Sequence, residues 1–198
     1  VKVLIACEFS AAVRDAFRAR GHDARSVDII PTEGDPRWHI QGDALETIER
    51  GRWDLMVAFP PCTHLASSGS QWWPAKRADG RQHAAFAFVR SLWEAPVPRV
   101  AIENPAGWLN TNWRRPDQIV NPWQFGDPWN KRTCLWVRGL PLLTPTDVVE
   151  SNGPWVSGTP GDTKDRRARG GAHRNPKDRA RTFRGIANAM AEQWGSAI

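Results

Sequence analysis

The sequence predicts an α/β fold, an open and mostly parallel sheet within a single domain. Two observations predict it. Short, continuous apolar runs recur along the chain, as strands buried on both faces require, and they alternate with segments of helical spacing. The 198 residues, 40% of them hydrophobic, are also enough to bury a real core without disulfide or metal staples.

Val1–Ala6 is the first such run and reads as a buried strand. Ser10 is positioned to cap the helix that follows. In that helix Val13, Ala16 and Phe17 share a face, and Gly21 stands where a helix-ending glycine belongs. Ala24–Ile29 reads as a second strand, and Pro31–His39 as a loop. Asp54–Phe59 is a clear strand stopped by Pro60-Pro61. Gly69–Arg81 is polar, with Pro and Gly, and predicts a long loop. Gln82–Glu94 has helical spacing, with Ala85, Phe88, Val89 and Leu92 on one face. Val100–Ile102 and Thr133–Val137 read as strands, and Ile186–Trp194 as a C-terminal helix.

Composition excludes several classes. Cys7, Cys62 and Cys134 are widely spaced with no CxxC, which supports neither a disulfide framework nor a metal site and favours a reducing, cytoplasmic setting. Val3–Cys7 is too short for a signal peptide, and the uncharged stretch Met56–Ala75 holds three prolines, so it does not read as a membrane span. The net charge of +6 is not spread evenly. Lys164–Arg184 has nine Lys/Arg against two acids, a net of +7, which leaves the other residues at −1. A nearly neutral body with one basic segment suggests a polyanionic partner.

In open α/β sheets ligands bind beyond the carboxyl ends of the strands. Here those ends are Cys7–Ser10, Asp28, Pro60–Thr63 and Glu103–Pro105. The turn Cys7-Glu8-Phe9-Ser10 lacks GxGxxG, so a dinucleotide site is poorly supported. Asp28, at the end of its strand, can accept hydrogen bonds from ribose hydroxyls, and Asp43 can meet an adenine amino group; either can equally be an ordinary loop acid. Pro60-Pro61-Cys62 is more specific. Two prolines fix the residue after them, and a cysteine on a stiff loop at a strand end suits a nucleophile. Glu103 ends a neighbouring strand. Together, Cys62 and Glu103 suit covalent attack on an electron-poor ring whose nitrogen the acid engages.

These residues resemble the DNA cytosine-C5 methyltransferases, and more closely their short bacteriophage and prophage forms. The resemblance covers most of the chain in the right order. Cys7-Glu8-Phe9-Ser10 is similar to the first motif, Pro60-Pro61-Cys62 to the catalytic motif and Glu103-Asn104 to the Glu-Asn motif. Gln124-Phe125-Gly126 through Thr133-Cys134-Leu135-Trp136 resembles a later motif, and Gly185–Met190 the final one, which includes Asn188. The resemblance implies a Rossmann-like, S-adenosylmethionine-dependent methyltransferase fold with helices on both faces of the sheet. It implies a DNA partner, with a cytosine flipped out of the duplex, and S-adenosylmethionine held by Cys7, Glu8, Phe9, Ser10, Asp28, Asp43, Pro60 and Asn188. Cys62 is then the nucleophile and Glu103 the group on N3, with Pro61 and Asn104 beside the base.

The sequence departs from the family at several points. Ala11 replaces the usual glycine after Phe-Ser, and Thr63 the usual glutamine after the cysteine. Lys131 and Arg132 are the candidates for the role of a missing arginine pair. The resemblance leads us to expect no large target-recognition domain and, over about 150–184 in its place, a flexible basic segment, with a short or relaxed target site. Arg166, Arg167, Arg169, Arg179 and Arg181 in it are candidates for phosphate contacts. In the segment after Cys62, Trp72, Trp73, Lys76 and Arg77 combine rings that can fill a vacated base site with cations that can hold phosphates, while the two tryptophans can equally pack the surface. Two alternatives stay open: the same chemistry on a free cytosine nucleotide or single strand, and a non-catalytic DNA-binding protein on this scaffold.

Overall fold

Seven strands form one sheet in the order β3-β2-β1-β4-β5-β7-β6, in a computed structural model that describes residues 1–151 and 180–197. At its centre is β1 (Lys2–Ala6), in which Val3 to Ala6 are all fully buried. It pairs in parallel with β2 (Asp23–Asp28) on one side and β4 (Leu55–Ala58) on the other. Beyond these, β3 (His39–Gln41) and β5 (Arg99–Pro105) continue the parallel set. At one edge β7 (Thr133–Arg138) runs antiparallel to both β5 and β6 (Gln118–Val120). The chain winds outward from β1 to β3 and then returns to β4 on the other side of β1. That reversal opens a crevice between the ends of β1 and β4, the place where such sheets bind ligands.

Alternation along the strands splits the core into two layers. Val3, Ile5, Val57 and Leu135 face α1 (Ala12–Ala19) and α6 (Arg184–Gly195), which contribute Val13, Phe17, Ile186, Met190 and Trp194. Leu4, Met56, Ile102 and Trp136 face the other way, toward α2 (Ala44–Arg50), α4 (Arg81–Glu94) and α5 (Trp108–Asn112). The expected α/β class, mostly parallel sheet and helices on both faces are therefore present.

Several elements differ from the sequence expectation. The expected loop Gly69–Arg81 is largely helical: a 3-10 turn over Ser67–Trp72 runs into α3 (Trp73–Ala78). Pro74 sits in the first turn of α3, where its missing N–H removes no helical bond. The short elements β3, α2, α5 and β6 go beyond the expected set, because three to seven residues carry too little periodicity to read. The Lys164–Arg184 stretch lies mostly outside the described residues, and with it Arg166, Arg167, Arg169 and Arg179.

The start of α1 is also built differently. Ser10 is not the principal cap. The Glu8 carboxylate accepts hydrogen bonds from the backbone N–H groups of Val13 (2.7 Å) and Arg14 (3.2 Å), while Ser10 Oγ stands 3.4 Å from the Ala12 nitrogen. Ala11 precedes the helix in the left-handed region, with φ 64°. Its methyl faces Gly34, where any Cβ would come within 2.6 Å of the Ala11 Cβ. A left-handed alanine costs about 1–2 kcal/mol. Ala11→Gly should therefore raise stability by about 1 kcal/mol, read as a higher midpoint in denaturant or heat. Gly34→Ala should lower it.

Candidate active site at the strand ends

The ends of β4 and β5 are stitched together beyond the sheet. Asn104, 1% exposed, donates from Nδ2 to the Pro60 carbonyl oxygen at 2.9 Å. Further out, Trp108 N donates to the Leu65 carbonyl (2.7 Å) and Ser67 N to the Ala106 carbonyl (3.1 Å). The two chains approach so closely that a Cβ at Gly107 would overlap the Leu65 carbonyl oxygen, so only glycine fits. The loop carrying Cys62 and the strand end carrying Glu103 thus move as one piece.

Three consecutive carbonyls hold the Cys62 loop. That of Cys62 accepts from Leu65 N (2.9 Å) and Ala66 N (2.8 Å) in a tight turn, that of Thr63 accepts from Lys76 Nζ (2.6 Å), and that of His64 accepts from Gln82 Nε2 (3.0 Å). Lys76 is buried in doing so. This corrects the expectation that Lys76 holds phosphates: its ammonium is spent on the loop behind the cysteine. Cys62 itself is half-buried, whereas Cys134 is fully buried, its thiol held above the usual range by burial.

Glu103 projects from β5 toward α6. It lines a small cavity with Lys131, Thr133, Phe183 and Met190. Burial raises its pKa above the usual carboxylate range, and the Lys131 charge pulls the other way. Of the two candidates for the missing arginine pair, Lys131 lies beside the candidate acid, while Arg132 is exposed. Pro60 is buried under the loop and Pro61 is exposed.

The second half of the site lies at the ends of β1 to β3. Cys7, Asp28 and Asp43 come together there: burial first, then the charges of Asp28 and Asp43, push the Cys7 thiol up to about 12. Asp28 Oδ1 accepts from Ile30 N (3.2 Å), and Asp43 Oδ1 caps α2 through Leu45 N and Glu46 N. Phe9 is 9% exposed, and its carbonyl accepts from Glu33 N and Thr32 Oγ1, both at 2.9 Å. Glu8 corrects its expected part in cofactor binding. Its carboxylate is turned inward to cap α1, and burial raises its pKa to about 7. Asn188 also departs from expectation: it stands on the exposed side of α6, opposite Ile186, Ala187, Ala189 and Met190.

Of the candidates in the segment after Cys62, Trp72 is 59% exposed and Arg77 is exposed, but Trp73 packs against the core, the packing alternative rather than a place on the substrate. Arg181 pairs with Glu33 (2.9 Å) and so ties the start of α6 to the loop over Phe9. Sequence reasoning missed Arg14. It is fully buried, with Nη1 donating to Ser26 Oγ (3.3 Å) and the Asp35 carbonyl (3.0 Å), and braces α1 against β2 and the 32–35 loop. Its position between Val13 and Phe17 on the apolar face was the available signal.

No family model matches the sequence, and no curated protein matches it. Solved structures do. The chain is similar to a putative DNA modification methyltransferase encoded within a prophage of E. coli, with a TM-score of 0.50 and 15% identity over 79% of this chain and 53% of that one. A second match is the Dnmt2 methyltransferase of S. pombe, with a TM-score of 0.41 and 15% identity over 69% of this chain and 48% of that one. The chain therefore spans about half the length of the structures it matches. The sheet order and the first of these likenesses define the fold as Rossmann-like and of the methyltransferase type.

The stitching makes a direct prediction. Asn104→Ala should cost about 1–3 kcal/mol, because it leaves the buried Pro60 carbonyl unpaired. Amide exchange should quicken at Leu65, Ala66 and Trp108, measured by hydrogen–deuterium exchange, with β1 unaffected.

Proposed function

We propose that this chain is an S-adenosylmethionine-dependent methyltransferase acting on C5 of cytosine in DNA, through a covalent bond between Cys62 and C6. The observation that carries the reading is the hydrogen bond from Asn104 to the Pro60 carbonyl, which joins the strand ends that carry a half-buried cysteine and a half-buried acid. The fold and the DNA modification methyltransferase among its structural neighbours support it.

The residues at the ends of β1 to β3 fit the cofactor. Asp28 and Asp43 each engage backbone N–H groups through Oδ1, and among the described residues no hydrogen bond takes Oδ2 of either, so each keeps an oxygen for a ribose hydroxyl or an adenine amino group. Ile29, 76% exposed beside Asp28, offers an apolar surface to a flat ring. S-adenosylmethionine bound there supplies an electrophilic methyl group for C5.

On the substrate side, the Cys62 thiol gives its proton to water and its sulfur bonds to C6, sending an electron pair into the ring. Glu103 meets that charge. Burial favours its protonated form, which donates a hydrogen bond to N3 as negative charge develops there. Water then takes the C5 proton, and the electron pair left behind rebuilds the ring's double bond and expels the Cys62 sulfur as thiolate. The half-buried loop position of Cys62, fixed from behind by Lys76 and Gln82, keeps the sulfur in line without closing the site. The cytosine leaves the duplex stack to reach it, at a cost of a few kcal/mol. Basic residues near the C-terminus hold phosphates with little base reading, giving a short or relaxed target site.

The test is transfer of labelled methyl groups to duplex DNA, single-stranded DNA and dCMP. The expected product is 5-methylcytosine in duplex DNA, abolished in Cys62→Ser and reduced at least about a hundredfold in Glu103→Gln. Label on adenine, or only on dCMP, would contradict the reading. Lys131 lowers the Glu103 pKa, so Lys131→Met should let the protonated acid persist further up the pH scale. The alkaline limb of the pH–rate profile should then move to higher pH.

A further inference from the structure

We propose that Lys76 is the counter-charge that favours the thiolate of Cys62 and so prepares the nucleophile before any substrate arrives; the proposal rests on the reading of Cys62 as the attacking group. Lys76 stands on α3, and its ammonium reaches back to the Cys62 turn, where Nζ donates to the Thr63 carbonyl at 2.6 Å. Standard backbone lengths then keep Nζ within about 9 Å of the Cys62 Cα. The residue is 9% exposed.

A buried ammonium is costly, and the turn does not need one to hold its shape. The next carbonyl along shows this. That of His64 is held by the fully buried Gln82 through a neutral amide, at 3.0 Å. A neutral donor of that kind would hold the Thr63 carbonyl without the charge. No carboxylate repays the cost either. The sequence has no acid between Cys62 and Asp79, Asp79 is taken by Arg81, and among the described residues no acid pairs with Lys76.

The other charged groups around the cysteine come with partners or face solvent. Arg81 lines a groove with Pro61 and His64 of the Cys62 loop, and Asp79 meets its charge. Glu103, at the end of β5, has Lys131 beside it. Asp28 and Asp43 gather at Cys7, at the ends of β1 to β3. Arg77 is exposed, so water and salt screen it. Lys76 is thus a buried cation without a buried anion, next to a sulfur whose reaction creates one. When the thiol's proton leaves to water, the negative charge stays on the sulfur and the ammonium keeps its own protons. A nearby cation stabilises a thiolate, and burial keeps solvent from damping the effect.

The experiment follows alkylation of Cys62 by iodoacetamide across pH in the full chain. Mass spectrometry of the peptide holding Cys62 keeps Cys7 and Cys134 out of the reading. Lys76→Gln keeps a donor and drops the charge, Lys76→Met drops both, and Lys76→Arg keeps the charge. Thermal unfolding checks that each variant folds. Lys76→Gln and Lys76→Met should react roughly tenfold more slowly than wild type at neutral pH, with the midpoint of the pH curve moved upward. Their rates should meet the wild-type rate above about pH 10, where a thiol ionises without help. Lys76→Arg should stay within about threefold of wild type throughout. Should Lys76→Gln fail to fold, Lys76→Met, which fills the same space without a buried charge, carries the test. A charge-free variant with the wild-type profile overturns the proposal and leaves Lys76 as a holder of the loop. A loss by the same factor at every pH, the mark of a displaced loop, overturns it too. Methyl transfer by the wild type is measured alongside. A wild type with no transfer to any DNA overturns the methyltransferase reading, which is a different result from a Cys62 indifferent to the charge of Lys76.

Discussion

One carboxamide ties the molecule's chemistry to its fold. Asn104 reaches from the end of β5 to the Pro60 carbonyl at the end of β4, buried and 2.9 Å away. Without it, the Pro-Pro-Cys loop and the Glu103 strand end would be joined only by the sheet beneath them and by the backbone bonds at Leu65 and Ser67 further out. Gly107 extends the tie outward by letting the Ala106–Trp108 backbone lie against Leu65–Ser67. Everything placed on that loop inherits the constraint: Cys62 in its turn, the 3-10 segment behind it, and the exposed ring of Trp72. The proposed nucleophile and acid, acting on one small ring, would need a fixed separation. A hydrogen bond between two strand ends supplies it at the cost of no extra chain.

The other half of the site is built on strain instead. Among the described residues other than glycine, Cys7 and Ala11 have positive φ, and they flank the turn after β1. Glu8, between them, is committed to capping α1, and its burial disfavours ionisation. Arg14 sits close by, fully buried, and offsets part of that cost. Strained turns of this kind persist when the surroundings over-determine them. Here the bracing comes from Thr32 and Glu33 on the Phe9 carbonyl and from Ala11 against Gly34. The turn is thus shaped before any ligand arrives, with the carboxylates of Asp28 and Asp43 beside it.

The parallel core was legible in the sequence because Val3–Ala6, Leu55–Ala58 and Val100–Ile102 are buried on both faces and show as unbroken apolar runs. The candidate nucleophile and acid were legible for a related reason: residues that end such runs lie on the ligand edge of the sheet. What was hidden depends on partners far away in sequence. The structural use of Lys76 needs Thr63 to be folded back beneath it, and nothing in a polar stretch of sequence separates a cation on a carbonyl from a cation on a phosphate. The inward turn of Glu8 requires knowing that Ala11 goes left-handed, which its side chain disfavours. The contrast between Trp72 and Trp73 comes from a helix start that a loop-like composition concealed.

Cys62 and Glu103 are proposed to form one covalent site on cytosine. Intact-mass analysis of the full chain, mixed with S-adenosylmethionine and a duplex containing 5-fluorocytosine, tests it most directly. Fluorine at C5 blocks the proton loss that would release the enzyme. A stable protein–DNA adduct that maps to the peptide holding Cys62, and that is absent in Cys62→Ser, is expected. No adduct under conditions where the folded chain binds the duplex, or an adduct that survives the loss of Cys62, would contradict it.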